Sequence, residues 1–403
     1  MRLPLEGVKV LDLSQRGPGP FCTMMLGDLG AEVTKIEPPA FREGFPSFST
    51  VMFPSQQFSE EDIEREYVFL PSNRHKKSIC LNLRYPEGKE IFYKLASRSD
   101  IIVESFRPGV TKRLAIDYPT ISKLNPKIIY CSITGYGQDG PYQDLPGHDI
   151  NYIALSGALS LISTAEGTPV IPLNLLGDYA GGSLYALAAI LAALLVREKE
   201  GKGSYIDLAL VEGVIALMSP IIALFLCHGL IPQRTESLLT GGMPCYNIYQ
   251  TKDNKYVAIG CIERHFWENL CQALGREDFI PYQFADGDKK REIFTFLQTT
   301  FRRKTRDEWF NELKDKQVCI SKVYTIDEVC HDPQVVRREL VESAKHPKFG
   351  QVKQLGTPLF RLIRAPEKIR SLGSFPGQNT SEILFSLGYS EPEIQSLQKK
   401  GII

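Results

Sequence analysis

Three short stretches hold imidazole or acidic side chains in settings that suit proton chemistry. "GHDINYIALSG" (147–157) sets His148 beside Asp149 between a glycine and an apolar run, in a chain with six histidines. "NLLGDYAGGS" puts Asp178 after a glycine at a predicted helix start, and "AIGCIERHFW" puts Glu263 between a predicted strand and a predicted helix. An imidazole exchanges protons near neutral pH, and a carboxyl can trade a proton with it across a substrate or hold it in place. Each residue also has a structural explanation. A histidine next to an aspartate is commonly a core residue. Asp178 is a favoured helix cap, and Glu263 complements the dipole of a helix N-terminus. Local sequence leaves both explanations open.

Cations cluster earlier in the chain. Arg74, Lys76 and Lys77 lie in "SNRHKKS", Arg84 in "LNLRYPEG", and Arg107, Lys112 and Arg113 in "SFRPGVTKRLA". They are read either as a solvated face or as contacts to a phosphate-bearing ligand, which arginine's bidentate fork suits. The familiar nucleophile, nucleotide and zinc signatures are missing. "SQRGPGPF" after the first predicted strand is not GxGxxG, and there is no GxxxxGK[ST], GxSxG or HExxH.

The elements that must position these residues alternate strand-like and helix-like through the first 210 residues or so. "GVKVLDLS", "EVTKIEPP", "SICLNL", "DIIVESF" and "KIIYCSITGYG" are strand-like, with helical patterns between them. That rhythm predicts an α/β fold with a mostly parallel, Rossmann-like sheet. "GDYAGGSLYALAAILAALLVREKEGKG" predicts one long apolar helix ended by basic residues and Gly201. Later, "GGMPCYNIYQTKDNKYVAIGCI" predicts a hairpin about Asp253-Asn254, followed by helices. The expected organisation is a large domain over 1–208, a linker helix over 209–238, and a smaller α+β domain over 239–330. Residues 331–403 then return to the large domain through an amphipathic tail helix. Phe41 to Ser72 lacks periodicity and reads as a long loop, a lid or a dimer contact.

Composition narrows the classes of function. Lys+Arg and Asp+Glu are both 47, which argues against bulk nucleic-acid binding. Nine cysteines without CxxC spacing fit buried free thiols in a reducing compartment, not a disulfide frame or a zinc site. Val214 to Ile231 approaches the length of a membrane span but is interrupted at Ser219-Pro220. It is read as a buried, kinked helix of a cytoplasmic protein with no membrane partner.

Beyond these local readings, long stretches resemble one family. "GVKVLDLSQRGPGPFCTMMLGDLGAEVTKIE", "NRHKKSICLNLRYPEGKEIF", "VESFRPGVTKRLAIDYPTISKLNPKIIYCSITGYGQDGPY" and "VREKEGKGSYIDLALVEG" look like the family III CoA-transferases. The collinear resemblance runs on through "LLTGGMPCYNIYQTKDNKYVAIG" and "NTSEILFSLGYSEPEI". Within the family, GHDINYxALSG, NLLxDxxGG and GxxExxF together resemble the α-methylacyl-CoA racemase branch.

The resemblance implies an acyl-CoA substrate, no further cofactor or metal for catalysis, and an interlocked homodimer. It implies His148 and Asp178 as an acid/base pair that moves a proton between the two faces of an α-carbon. Glu263 would hydrogen-bond to the imidazole, and the backbone N–H of Asp149 would receive the thioester oxyanion. The nucleotide would meet Asn82, Leu83 and Arg84 at one strand end and Ser105, Phe106 and Arg107 at the next, with Arg113 on phosphate. Gly147, Asp149, Ile150, Asn151 and Tyr152 would line the pantetheine and thioester. The alternative within the family is a CoA-transferase that uses Asp178 as nucleophile and passes through an aspartyl-CoA thioester. This chain departs from the racemase pattern in "IEPP", in the length of 41–72, and in Arg264-His265 after Glu263.

Overall fold

The computed structural model describes residues 3–39, 47–164, 166–359 and 369–403. Contacts divide the chain into two units. The first comprises Met1–Ser156, Leu173–Leu217 and Pro333–Ile403, and the second Gly157–Pro172 and Met218–Asp332. The excursion of Gly157–Pro172 into the second unit has no sequence signal.

The first unit is built on six parallel strands in the order β3-β2-β1-β4-β5-β6. They are β1 (Lys9–Asp12), β2 (Glu32–Glu37), β3 (Lys76–Cys80), β4 (Ile101–Glu104), β5 (Ile129–Thr134) and β6 (Ser204–Ala209). β4 and β5 are buried at every residue, which is why they read as continuous apolar runs and not as alternating ones. Successive side chains still go to opposite faces. Val10, Ile101, Val103, Ile129 and Cys131 join one core with helices Pro18–Asp28 and Tyr185–Glu200. Leu11, Ile102 and Tyr130 join the other, with Ile91 and Phe92 of helix Pro86–Ala96. That second face is completed by Ile383, Leu384, Ile394 and Leu397 from the C-terminal segment. The expected single tail helix is two, Thr380–Ser386 and Glu391–Lys399, separated at Gly388 with φ +90°.

Strand order reverses between β1 and β4, so the crevice beyond their carboxyl ends is where such a sheet receives a ligand. The Gln15 N–H donates to Ser105 Oγ at 3.0 Å, tying the loop after β1 to the loop after β4 at that point.

Three expectations need correcting. The predicted long helix begins instead as a π-helical run, Leu175–Leu184, before continuing as α-helix Tyr185–Glu200. Close backbone packing accompanies the change: a Cβ on Gly213 of helix Leu210–Leu217 would lie 2.0 Å from the Gly181 carbonyl oxygen. The combined Leu175–Glu200 helix is long and apolar enough to cross a membrane, and it packs on the sheet through Ala186, Ile190 and Ala193. The apolar stretch 214–231 is broken at Met218, since Pro220 lacks the N–H a continuing helix needs. Its second part, Ser219–His228, has no buried residue, and Cys227 is exposed within it. Last, the described part of 41–72 contains helices Phe48–Met52 and Glu60–Phe69. The latter is anchored by Tyr67, whose hydroxyl donates to Glu37 at 2.8 Å. Residues 41–46 lie outside the described residues.

The second unit holds an antiparallel sheet of β7 (Tyr246–Gln250), β8 (Tyr256–Gly260) and β9 (Ile320–Lys322). The β7–β8 hairpin turns at Asn254, which takes the left-handed φ of +57° that asparagine tolerates. Trp267, Phe279, Phe301 and Trp309 fill its core.

Candidate active site

The site begins where β1 ends. Asp12 is fully buried and accepts hydrogen bonds from the Thr23 hydroxyl at 2.6 Å, the Lys76 ammonium at 2.9 Å and the Ser14 N–H at 2.9 Å. Lys76 also donates to the Pro20 carbonyl, so the charge pair fixes both ends of the turn between β1 and its helix. Burial pushes the Lys76 ammonium down to about 8 despite its aspartate partner. Arg74 is wholly buried against Asp28 through bonds of 2.8 and 2.7 Å, and Lys77 pairs with Glu382 at 2.6 Å. Arg74 and Lys76 are therefore neither a solvated face nor phosphate ligands, whereas Lys77 lies exposed on its partner. Each is paired with a carboxylate of the chain itself.

Within that pinned turn, Gly17 has φ +44° and lies against Asp178, where a Cβ would fall 3.0 Å from the carboxylate Oδ2. Asp178 stands in the first turn of the π-helical run and is half-buried. It accepts a hydrogen bond from Asn174 Nδ2 at 3.0 Å. Its pKa is raised, chiefly by burial and further by the charge of Asp149, while Asn174 and His148 pull the other way. Gly17→Ala is expected to keep the fold and lose about 100-fold in turnover, because the carboxyl must shift to admit the methyl group. Steady-state kinetics with a thermal melt checks this.

His148 precedes helix Asp149–Leu155 with extended backbone, and its N–H donates to Asn151 Oδ1 at 3.0 Å. Its side chain is exposed, and its charge acts on Asp178, so the two share one electrostatic site inside the first unit. Tyr152 supports this loop from beneath: its hydroxyl donates to the Gly147 carbonyl at 2.6 Å and its ring packs on Tyr136. Gly135 and Gly147 leave room for that ring, since a Cβ on either would come within 2.4 and 2.8 Å of it. Tyr152 is thus a buried brace and not a surface lining. Asp149 is buried, and its Oδ2 accepts the N–H groups of Gly177 at 2.6 Å and Asp178 at 2.8 Å. The Asp149 N–H has no acceptor among the described residues, as expected of a first-turn donor.

The structure therefore brings together His148, Asp149 and Asp178. It adds Gly17, Asn174 and the Asp149 side chain, none of them singled out from sequence. Only Asn174 carries a signal there, four residues before Asp178 and so on the same side of a helix. Glu263 belongs to the second unit, exposed at the start of helix Arg264–Ala273. Arg264 is engaged by Glu268 at 2.7 Å, and the His265 ring lies against Phe266.

The remaining candidates sit beyond the carboxyl ends of β3 and β4. The Asn82 side chain accepts the Arg84 N–H at 3.2 Å, Leu83 is buried and the Arg84 side chain is exposed. After β4, the Phe106 N–H donates to Glu104 at 2.7 Å, with Ser105 and Phe106 partly buried and Arg107 and Arg113 exposed. Ile150 and Asn151 are exposed in the first turn after His148.

Glu104 is itself unusual: burial pushes its carboxyl up to about 7, with Asp207 adding and the Ser132 hydroxyl and Phe106 N–H opposing. A raised carboxyl contributes stability that is full below its unfolded value and lost as pH rises through about 7. The folded state should therefore weaken between pH 5 and 8 by at most about 1.4 kcal/mol per pH unit, and Glu104→Gln should flatten that slope. Urea unfolding across this range measures it.

Comparison with known proteins follows the same lines. Residues 5–376 match CoA-transferase family III. The human α-methylacyl-CoA racemase is 34% identical over 403 residues, covering 100% of this chain and 98% of that protein. The human succinyl-CoA:glutarate CoA-transferase is 32% identical, covering 99% of this chain and 90% of that protein. Among solved structures, a CaiB/BaiF family protein from Brucella suis superposes with a TM-score of 0.80 at 27% identity, covering 96% of this chain and 100% of that one.

Proposed function

Since the chain belongs to CoA-transferase family III, we propose that it is an α-methylacyl-CoA racemase-like epimerase, acting by 1,1-proton transfer on a 2-methylacyl-CoA thioester. The observation that carries this reading is that Asp149, the residue next to exposed His148, accepts the N–H of half-buried Asp178 at 2.8 Å and so brings the two segments together. Burial raises the proton affinity of that Asp178 carboxyl. In one direction neutral His148 takes the α-proton, leaving an enolate, and protonated Asp178 returns a proton to the opposite face. In the other direction the roles reverse, with Asp178 as base and the imidazolium as acid. The unpaired Asp149 N–H is the proposed donor to the enolate oxygen. Asn82, Arg84, Ser105, Phe106, Arg107 and Arg113 are proposed to hold the nucleotide end. Glu263 as the imidazole's partner, and the homodimer, belong to the proposal on the resemblance alone.

A second reading has support of its own. CoA-transferases match this chain at 30 to 32% identity, close to the racemases. In it Asp178 attacks the thioester, releasing CoA thiolate and forming a mixed anhydride; the thiolate then attacks the Asp178 carbonyl, expelling the first acid as its carboxylate and leaving an aspartyl-CoA thioester.

Incubating the protein with one 2-methylacyl-CoA epimer in D2O separates the two. Racemisation with deuterium at the α-carbon is expected. CoA transfer between two acids, without exchange and with inactivation by hydroxylamine, would replace the epimerase by the transferase.

A further inference from the structure

We propose that the Asp149 side chain is a positioning residue: it fixes the π-helical turn that presents Asp178 and sets a second negative charge beside it. The first turn of a helix leaves N–H groups without partners inside the helix, and a π-helix leaves five. Here two of them, on Gly177 and Asp178, converge on one oxygen of Asp149, at 2.6 and 2.8 Å. The acceptor comes from a different helix, so the bonds tie the backbone beside His148 to the backbone of Asp178. Gly177 has to be glycine for this, as a Cβ would lie 2.7 Å from the accepting oxygen.

The other oxygen, Oδ1, is buried and has no hydrogen-bond partner among the described residues. A buried carboxylate oxygen without a donor is costly, and fold stability alone gives no reason to retain it. Its consequence is electrostatic: no cation is paired with Asp149 among the described ion pairs, and its charge is one of the influences that raise Asp178's proton affinity. The other groups around Asp178 are His148 and Tyr152 from the segment of Asp149, Asn174 and Tyr179 from its own, and the Gly17 turn, which follows Arg16. A carboxyl that must return a proton in half of the catalytic cycles needs to hold it at working pH. A like charge alongside does this.

The inference rests on the epimerase reading only for its kinetic readout. Asp149→Asn keeps an oxygen that can accept both N–H groups and removes the charge. The acidic limb of the kcat/KM profile for α-deuterium exchange is then expected to move to lower pH, with thermal stability close to wild type. Asp149→Ala removes both functions and is expected to lose about 100-fold in turnover. Asp149→Glu keeps the charge and should hold the limb nearer its wild-type position than Asn does, which also serves if the Asn variant does not fold. Independently of any reaction, the 13C-carboxyl titration of Asp178, assigned with Asp178→Asn, should shift to lower pH in Asp149→Asn. A wild type that exchanges deuterium, with limb and titration both unmoved in Asp149→Asn, overturns the proposal. A wild type that does not exchange overturns the epimerase reading, and the carboxyl titration then decides the role of Asp149 alone.

Discussion

His148→Ala is expected to lose racemisation, and α-proton exchange of the epimer whose proton faces His148, by about two to four orders of magnitude, the usual contribution of a positioned acid or base. The side chain is exposed in the chain and donates no bond that the fold depends on, so the melt should stay close to wild type. What the loop needs is supplied by backbone. The His148 N–H and carbonyl engage Asn151, and Gly147 is held by Tyr152. Loss of exchange with an intact fold therefore reports on chemistry. The same variant separates the two reactions, because a transferase with Asp178 as nucleophile needs no proton acceptor at position 148. Retained exchange in His148→Ala of the epimer whose α-proton faces His148 would sink the assignment.

Asp178→Asn has the other large effect, and its signature is directional. If two groups flank the α-carbon, each serves as base for one epimer only. Removing Asp178 should abolish racemisation by about two to four orders of magnitude while leaving His148 able to exchange the proton on its own face. Deuterium should then wash into one epimer without inversion, and His148→Ala should show residual exchange in the opposite epimer. Mass and chiral analysis of recovered thioester measures both. Equal residual exchange in both epimers would contradict a two-sided site. Asparagine is close in shape to aspartate and can still accept from Asn174, so the turn should be retained.

Much of this arrangement was legible in sequence because it depends on local pattern. The parallel strands show as apolar runs, and the β7–β8 turn is marked by Asp253-Asn254. His148 and Asp178 stand out by residue type and by their glycine neighbours. Partnership across the fold was not legible. Nothing in "SNRHKKS" says that Arg74 will be buried on Asp28 and Lys76 on Asp12, 46 and 64 residues away in sequence. Nor does "GHDINY" reveal that the aspartate's side chain will bind the backbone of residue 178. The π winding escaped for a related reason: it accompanies the contact of Gly181 with Gly213, which local periodicity cannot register. Ser219–His228 looked like core because apolar composition does not state whether the chain itself covers it.

The way the first unit is assembled from separated segments has a consequence for the order of folding. One face of its parallel sheet is closed by Ile383, Leu384, Ile394 and Leu397, and the carbonyl of Ile402 accepts the Asn82 N–H at 2.7 Å. Strands formed by residues 9 to 134 therefore wait, during synthesis, for partners more than 240 residues downstream. Most of the second unit, the continuous run Met218–Asp332, is complete well before then. The segment just beyond β3, which holds Asn82, is finished only once Ile402 has been made. A nascent chain that stops short of Ile383 would hold a formed second unit and a sheet with one uncovered face.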